Sequence, residues 1–319
     1  MKRMRRRIGK FLLWAVCVLL MALAGLTIYH QTAKTIEASR LTPTGRLYEV
    51  DGHMLHVRVM GEAAAVQTLV LLSGSGTAAP VYDFQALAKR LSRTFKVAIV
   101  ERSGYGYSPA SGASRDIDTV MEETRGALAQ ADIQGPYILM PHSIAGIEAL
   151  YWAQCHPQEI AAIIGLDMTV PQAKDDIPDV PLARPLLSII GDIGIQRIPF
   201  IYPIEYIELS DDEVKQAKYL TYRNAFDLDI RNELTYTQAN IDKIDLSSIQ
   251  GLPILAFVSN DRDSQKEHEA FSEQIPCELY RIDAPHYIHQ FAPTEICEVA
   301  TRFIEDTVLH SLDHGPVAL

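Results

Sequence analysis

The stretch Tyr137-Ile138-Leu139-Met140-Pro141-His142-Ser143-Ile144-Ala145-Gly146 reads as an apolar strand running into a tight, serine-bearing turn. The residues after it, Ile147 to His156, carry a helical pattern. Strand, sharp turn and helix in that order are the setting of a G-x-S-x-G nucleophile elbow. Such a turn lifts a hydroxyl off the end of a sheet and sets the first N–H groups of the helix around it. Small residues are needed beside the serine because the chain approaches itself there. Ala145 and Gly146 supply them on one side, while Pro141 stands where a glycine is expected on the other.

Working outward, short apolar runs alternate with helical patterns. The runs are Thr68–Leu72, Val97–Val100, Tyr137–Met140, Ala162–Leu166, Ile254–Val258 and Leu279–Ile282. Helical patterns cover Tyr82–Arg93, Asp116–Ala131, Ile144–His156, Lys266–Gln274 and Thr294–His310. Continuous apolar runs joined by helices indicate strands buried on both faces of a mostly parallel sheet. Before them, Arg46–Val50 and Met54–Met60 flank Asp51-Gly52, a hairpin signal. The expectation is an α/β fold with an antiparallel edge feeding a parallel sheet. Pro171 to Ile249 breaks the rhythm, with six prolines in its first half and helical periodicity at Asp211–Tyr222 and Asn232–Ile244. An excursion of that length reads as an inserted helical cap rather than a loop. The expected organisation is residues 1–30 as anchor or signal, 31–44 as linker, 45–170 and 250–312 as core, and 171–249 as cap.

The 319 residues are 48% hydrophobic and 22% charged, enough for a sizeable core. The net charge is −11, yet the first ten residues hold six positives and no acid, so the remainder carries −17. A body that acidic excludes a nucleic-acid partner, which requires a basic footprint. Residues Phe11–Ile28 hold no charge. As a helix they span about 27 Å, close to the hydrocarbon thickness of a bilayer. The basic flank stays cytoplasmic and places the rest outside, on the cell membrane. A cleaved signal with Ala22-Leu23-Ala24 as its small-residue site is the competing reading and would make the protein secreted. A buried core helix is disfavoured because the segment is apolar all round. Of four cysteines, Cys17 falls in this segment, and Cys155, Cys277 and Cys297 form neither a disulfide framework nor a metal spacing. Cys155 and Cys297 read as buried helix thiols. No C-x-x-C, H-E-x-x-H or P-loop pattern occurs, so neither a metal nor a nucleotide cofactor is indicated.

Three further motifs join the elbow. The run Thr68–Leu72 ends in Ser73-Gly74-Ser75-Gly76, whose N–H groups can face a developing negative charge, although strand-to-helix turns also carry glycine for steric reasons alone. Arg102-Ser103-Gly104-Tyr105-Gly106-Tyr107-Ser108 follows the next run, and Asp283-Ala284-Pro285-His286 follows the last. In this order the four resemble the α/β-hydrolase family over roughly residues 45 to 310. They correspond to its H-G-x turn, its R-G-x-G-x-S segment, its G-H-S-x-G-G elbow and its G-H before the final helix. Ser73, Pro141, Ala145 and Pro285 depart from that pattern.

The resemblance implies Ser143 as nucleophile, His286 as general base, and the N–H groups of Ser75 and Ile144 as the oxyanion hole. That chemistry is coherent, since a serine hydroxyl needs an imidazole to take its proton and a carboxylate to orient the imidazole. His289 is the weaker rival base, and His142 reads as structural. For the acid, chain order permits Asp167, at the end of Ala162–Leu166, and Asp261 or Asp263 after Ile254–Val258. Asp167 is favoured because a strand end beneath a cap buries a carboxylate. Asp263 is the alternative, and both later aspartates also suit a helix cap. Relatives that use aspartate at the elbow, the haloalkane dehalogenases and epoxide hydrolases, are disfavoured by Ser143. Acyl transfer to water remains, on a small-molecule ester, thioester or amide of small or lipid-like character. The alternative is a non-catalytic ligand- or partner-binding module on the same fold.

Overall fold

Asp51 and Gly52, with φ of 50° and 83°, adopt the paired left-handed conformation that a two-residue hairpin turn requires. They join β1 (Arg46–Val50) to β2 (His53–Met60), which pair antiparallel. The computed structural model describes residues 2–62, 67–177, 183–202 and 206–309. Residue 1 of the expected anchor, residues 63–66 and 310–312 of the expected core and residues 178–182 and 203–205 of the expected cap lie outside them.

Beyond the hairpin come β3 (Thr68–Leu72), β4 (Lys96–Glu101), β5 (Tyr137–Ser143), β6 (Ile160–Met168), β7 (Ile254–Val258) and β8 (Glu278–Arg281). The eight-stranded sheet has the order β1-β2-β4-β3-β5-β6-β7-β8 and is parallel from β4 onward. β3 and β7 are buried along their whole length, as their unbroken apolar character requires. The helices are α2 (Pro80–Asp83), α3 (Gln85–Leu91), α4 (Ile117–Gln130), α5 (Ala145–Cys155), α9 (Arg262–Ser272), α10 (Ile288–Phe291) and α11 (Pro293–Phe303). Two apolar clusters, one on each face of the sheet, form the core. One gathers Leu139, Ile147, Leu150 and Trp152, and the other Leu71, Phe84, Leu87, Met140 and Phe257. The chain is thus an α/β protein with a mostly parallel sheet flanked by helices. Among the described residues, three more α-helices lie between β6 and β7: α6 (Ala183–Ile193), α7 (Asp211–Asn224) and α8 (Leu228–Ile241).

Two expectations need correction. The stretch 31–44 is not a linker throughout, because the N-terminal helix α1 runs unbroken from Lys2 to Ala38. Its polar end is held by the region between β6 and β7: Arg197 Nη1 and Nη2 pair with Glu37 at 2.8 and 2.6 Å, and Arg197 Nε donates to His30 Nδ1 at 2.8 Å. The apolar part of α1 has a mean hydropathy of 2.6 over an 18-residue window and is long enough to cross a membrane. The cysteines differ as well. Cys155 is exposed at the end of α5, and Cys277 and Cys297 are half-buried.

Candidate active site

All the motifs converge at the carboxyl ends of the parallel strands, the edge where open α/β sheets bind ligands. Ser143 ends β5 with φ = +53°, a left-handed backbone that a non-glycine residue adopts only where its surroundings enforce it. The enforcement is visible on both flanks. On the β6 side, Thr169 N–H donates to Ser143 O at 2.7 Å, and a Cβ on Gly146 would lie 2.3 Å from Thr169 O. On the β3 side, a Cβ on Gly74 would lie 2.7 Å from Ser143 Cβ and 3.0 Å from His142 Nδ1. Glycine at 74 and 146 therefore lets two neighbouring segments close on the serine. Pro141 does not disturb the strand, since Leu72 and Pro141 remain partners in the β3–β5 ladder.

Asp167 occupies the neighbouring strand end and is also left-handed, at φ = +48°. It is buried, and its Oδ2 lies 2.6 Å from His286 Nδ1. Its Oδ1 accepts from Ser259 N–H at 2.9 Å and from Ser264 Oγ at 2.7 Å. Burial pushes this carboxyl's pKa upward, but the bonds from His286, Ser259 and Ser264 outweigh it and hold the group below the usual carboxylate range. Asp263 sits elsewhere, exposed and paired with Lys266 Nζ at 2.8 Å. Asp261 caps α9, accepting from the N–H groups of Asp263 and Ser264 at 3.0 Å each. Of the three aspartates, His286 is paired with Asp167.

The His286 side chain is 47% exposed, and with Nδ1 on Asp167 its Nε2 remains available. Ser143 itself is only partly buried at the end of β5, and contacts between a catalytic serine and its base commonly tighten only around substrate. The N–H groups of Ser75 and Ile144 take no backbone partner among the described residues. The rival base, His289, is turned away. It is fully buried, and its Nε2 lies 2.7 Å from Asp83 Oδ2.

His142, read from the sequence as structural, helps to hold this arrangement, together with side chains that no motif marks. His142 Nε2 lies 3.2 Å from the His286 carbonyl, which can only accept, so that nitrogen carries the proton. Burial, with His289 and His286 alongside, draws the His142 pKa well below the usual imidazole range and keeps the ring neutral. Asp83, His142 and His289 have the composition of a metal-ligand set and offer atoms within 4.8 Å of one another, but Asp83 and His289 already bond to each other. The Ser73–Gly76 turn is held from beneath, with Arg102 Nη2 donating to Ser73 O at 2.6 Å and Gly76 N–H donating to Tyr105 Oη at 3.2 Å. Tyr105 in turn donates to Glu233 Oε2 of α8 at 2.5 Å, and Arg102 Nη1 lies 3.6 Å from Glu233 and 3.7 Å from Glu148. The arginine of the R-S-G-Y-G-Y-S segment was in plain view, but its partners lie 46 and 131 positions further on. A cavity of ≈ 370 Å³ opens beside the site, between Gly76, Thr77, Tyr202, Tyr206, Tyr287 and Phe291. That volume is in the range of small-molecule pockets.

No protein-family model matches the chain. The uncharacterized protein YbdG of Bacillus subtilis (strain 168) is 36% identical over 313 residues, covering 92% of this chain and 95% of that protein. Among solved structures, the haloalkane dehalogenase DbeA-M1 loop variant from Bradyrhizobium elkanii superposes with a TM-score of 0.62 at 16% identity, covering 85% of this chain and 99% of that one. The enol-lactonase from Burkholderia xenovorans LB400 superposes with a TM-score of 0.58 at 16% identity, covering 82% and 100%. At that identity the two structures speak for the fold alone. With the four ordered motifs on the carboxyl edge of this sheet, the chain has the α/β-hydrolase fold, and by the match along nearly its whole length it belongs to one family with YbdG.

Proposed function

We propose that the protein is a membrane-anchored serine hydrolase that cleaves an ester, thioester or amide of a small or lipid-like acyl substrate through an acyl-enzyme. The observation that carries the reading is the His286 Nδ1–Asp167 Oδ2 bond of 2.6 Å, made by a buried carboxylate one strand away from a serine in the left-handed elbow conformation. Asp167 fixes the imidazole with its proton on Nδ1, which leaves the Nε2 lone pair to take the proton of Ser143. The serine oxygen then attacks the acyl carbon, and the carbonyl electron pair moves onto an oxygen that the N–H groups of Ser75 and Ile144 stabilise. His286 returns the proton to the leaving group, and water repeats the sequence to free the acid and restore Ser143. Asp167 stays ionised throughout, which its three hydrogen bonds favour.

The anchor reading is supported by the basic residues before Phe11 and by the continuation of α1 past Ile28 into contacts with the cap. The domain then faces the outside of the cell membrane. Hydrolysis of short p-nitrophenyl esters by purified full-length protein tests the chemistry. Ser143→Ala is expected to lose about 10⁶ in rate without loss of fold, and retention of most of the activity overturns the assignment. N-terminal sequencing of the mature protein tests the anchor, and a start at Gly25 would mean secretion.

A further inference from the structure

The apolar segment of α1 ends at Ile28, and two residues later His30 is already buried against the cap. Arg197 makes the joint. Its guanidinium is bidentate to Glu37, donates to His30, and lies 4.3 Å from the Tyr222 ring centroid and 5.6 Å from that of Tyr29. Burial, with Arg197 beside it, pulls the His30 pKa down to about 4, so the ring is neutral and can accept that bond. Gly194 packs so closely that a Cβ there would lie 2.6 Å from His30 Cβ. Gln31 adds a bond to Asp192 O at 3.1 Å. At about 1.5 Å per residue, this clamp begins about 3 Å beyond the apolar span. The cap is therefore tied to the anchor at the height of the bilayer surface, with no flexible residue between them.

On that same part of the cap, large apolar side chains face outward. On α6, which packs against α1, Leu186 is 58% and Ile189 56% exposed, and no charge occurs between Pro185 and Gly191. In the turn just past Arg197, Phe200 is 87% and Ile201 50% exposed. Exposed apolar groups are ordinary when scattered. Four on two adjoining segments, in a body of net charge −17 and beside a helix long and apolar enough to cross a membrane, are more than scattered exposure accounts for, and such groups are what an interfacial element presents to a bilayer. Tyr29, 60% exposed at the end of the apolar span, has the position of an interfacial aromatic.

We propose that Leu186, Ile189, Phe200 and Ile201 insert into the bilayer leaflet beside the anchor, and that the cavity next to the site receives its acyl substrate from that leaflet rather than from water. The cavity wall continues directly from this face. Tyr202, which lines it, follows Ile201, and its ring meets Phe226, against which α6 packs at Gly191. Phe291, on the cavity's other wall, is 54% exposed. The inference rests on the membrane-anchored hydrolase reading.

The test reconstitutes the full chain in phosphatidylcholine vesicles that contain a phosphatidylcholine with a photoactivatable acyl chain, and maps the adducts by mass spectrometry. Adducts are expected on residues 186–201 as well as on 11–28. Adducts on 11–28 alone overturn the docking and leave the anchor standing, and adducts on neither overturn both. In the same vesicles Leu186→Glu/Phe200→Glu is expected to slow hydrolysis of a long-chain ester held in the bilayer at least tenfold, with hydrolysis of soluble p-nitrophenyl butyrate unchanged. Equal loss on both substrates, or on neither, contradicts delivery from the leaflet. Should the wild type hydrolyse neither, the hydrolase reading and leaflet delivery fail together, and the photolabel still decides the docking.

Discussion

Replacing Asp167 with asparagine separates the chemistry of the site from its packing. The change is nearly isosteric, and the amide oxygen of the new side chain can still accept from Ser259 N–H and Ser264 Oγ, which lie 2.9 and 2.7 Å from the carboxylate Oδ1 it replaces. Those donors fix the amide's orientation and turn its NH₂ toward His286 Nδ1, the nitrogen now 2.6 Å from Oδ2. Nδ1 must then accept, so the proton moves to Nε2, where it blocks removal of the serine proton. The expected cost is about 10⁴ in turnover, or about 5 kcal/mol of transition-state stabilisation. The stability cost is far smaller, about 1 kcal/mol, because one charged hydrogen bond becomes a neutral one and its histidine is half exposed to solvent. It also has a pH signature. The native Asp167 pKa is depressed, so its contribution is fully present above the unfolded value near 4 and is lost as pH falls through the lower native one. The stability gap between wild type and Asp167→Asn therefore narrows below about pH 4. Steady-state hydrolysis of p-nitrophenyl butyrate with parallel thermal melts measures both. Near-normal turnover in Asp167→Asn, with the loss appearing in Asp263→Asn instead, would make Asp263 the partner of His286 in catalysis.

Gly146→Ala forces a methyl to within 2.3 Å of Thr169 O and is expected to destabilise the fold by about 2–3 kcal/mol, read by denaturant titration. Gly74→Ala brings its methyl to 2.7 Å from Ser143 Cβ and 3.0 Å from His142 Nδ1; kcat is expected to fall at least tenfold, with a loss of about 1–3 kcal/mol in stability read by the same titration. Burial raises the pKa of Glu148 to about 6 despite Arg102 and Thr124, so its contribution is greatest below the unfolded value of 4.5 and is lost as pH rises through 6. Glu148→Gln removes that slope. Relative to wild type it is expected to gain roughly 2 kcal/mol between pH 4 and pH 7, measured by urea unfolding at both values.

The parallel sheet was legible because strands buried on both faces must be apolar without interruption. Ile254–Val258 matches to the residue, and the Asp51-Gly52 turn carries its own conformational signature. The position of Asp167 could be read from the same logic, as the residue where an apolar strand ends beneath an inserted segment. What stayed hidden is long-range. Ser259 and Ser264, which hold the Asp167 carboxylate, lie 92 and 97 positions away, and nothing local marks them. The helix over residues 31–38 is braced by Arg197, 160 positions from Glu37, so a polar stretch resembling a linker is in fact clamped. α6 was masked by the prolines around it, Pro185 among them, which sits in the first turn where a missing N–H costs nothing. The exposure of Cys155 has a related cause. Cys155 is the last residue of α5, beyond the turns that face the core.

Activation of Ser143 by His286 underlies every catalytic step proposed above. The most direct measurement is reaction of the folded, full-length protein with a fluorophosphonate probe, followed by mapping of the adduct by peptide mass spectrometry. One phosphonate is expected, on Ser143, absent in Ser143→Ala and strongly slowed in Asp167→Asn. Folded protein that takes up no probe, or takes it up on another serine such as Ser75, would contradict the claim and favour a binding module on the same fold.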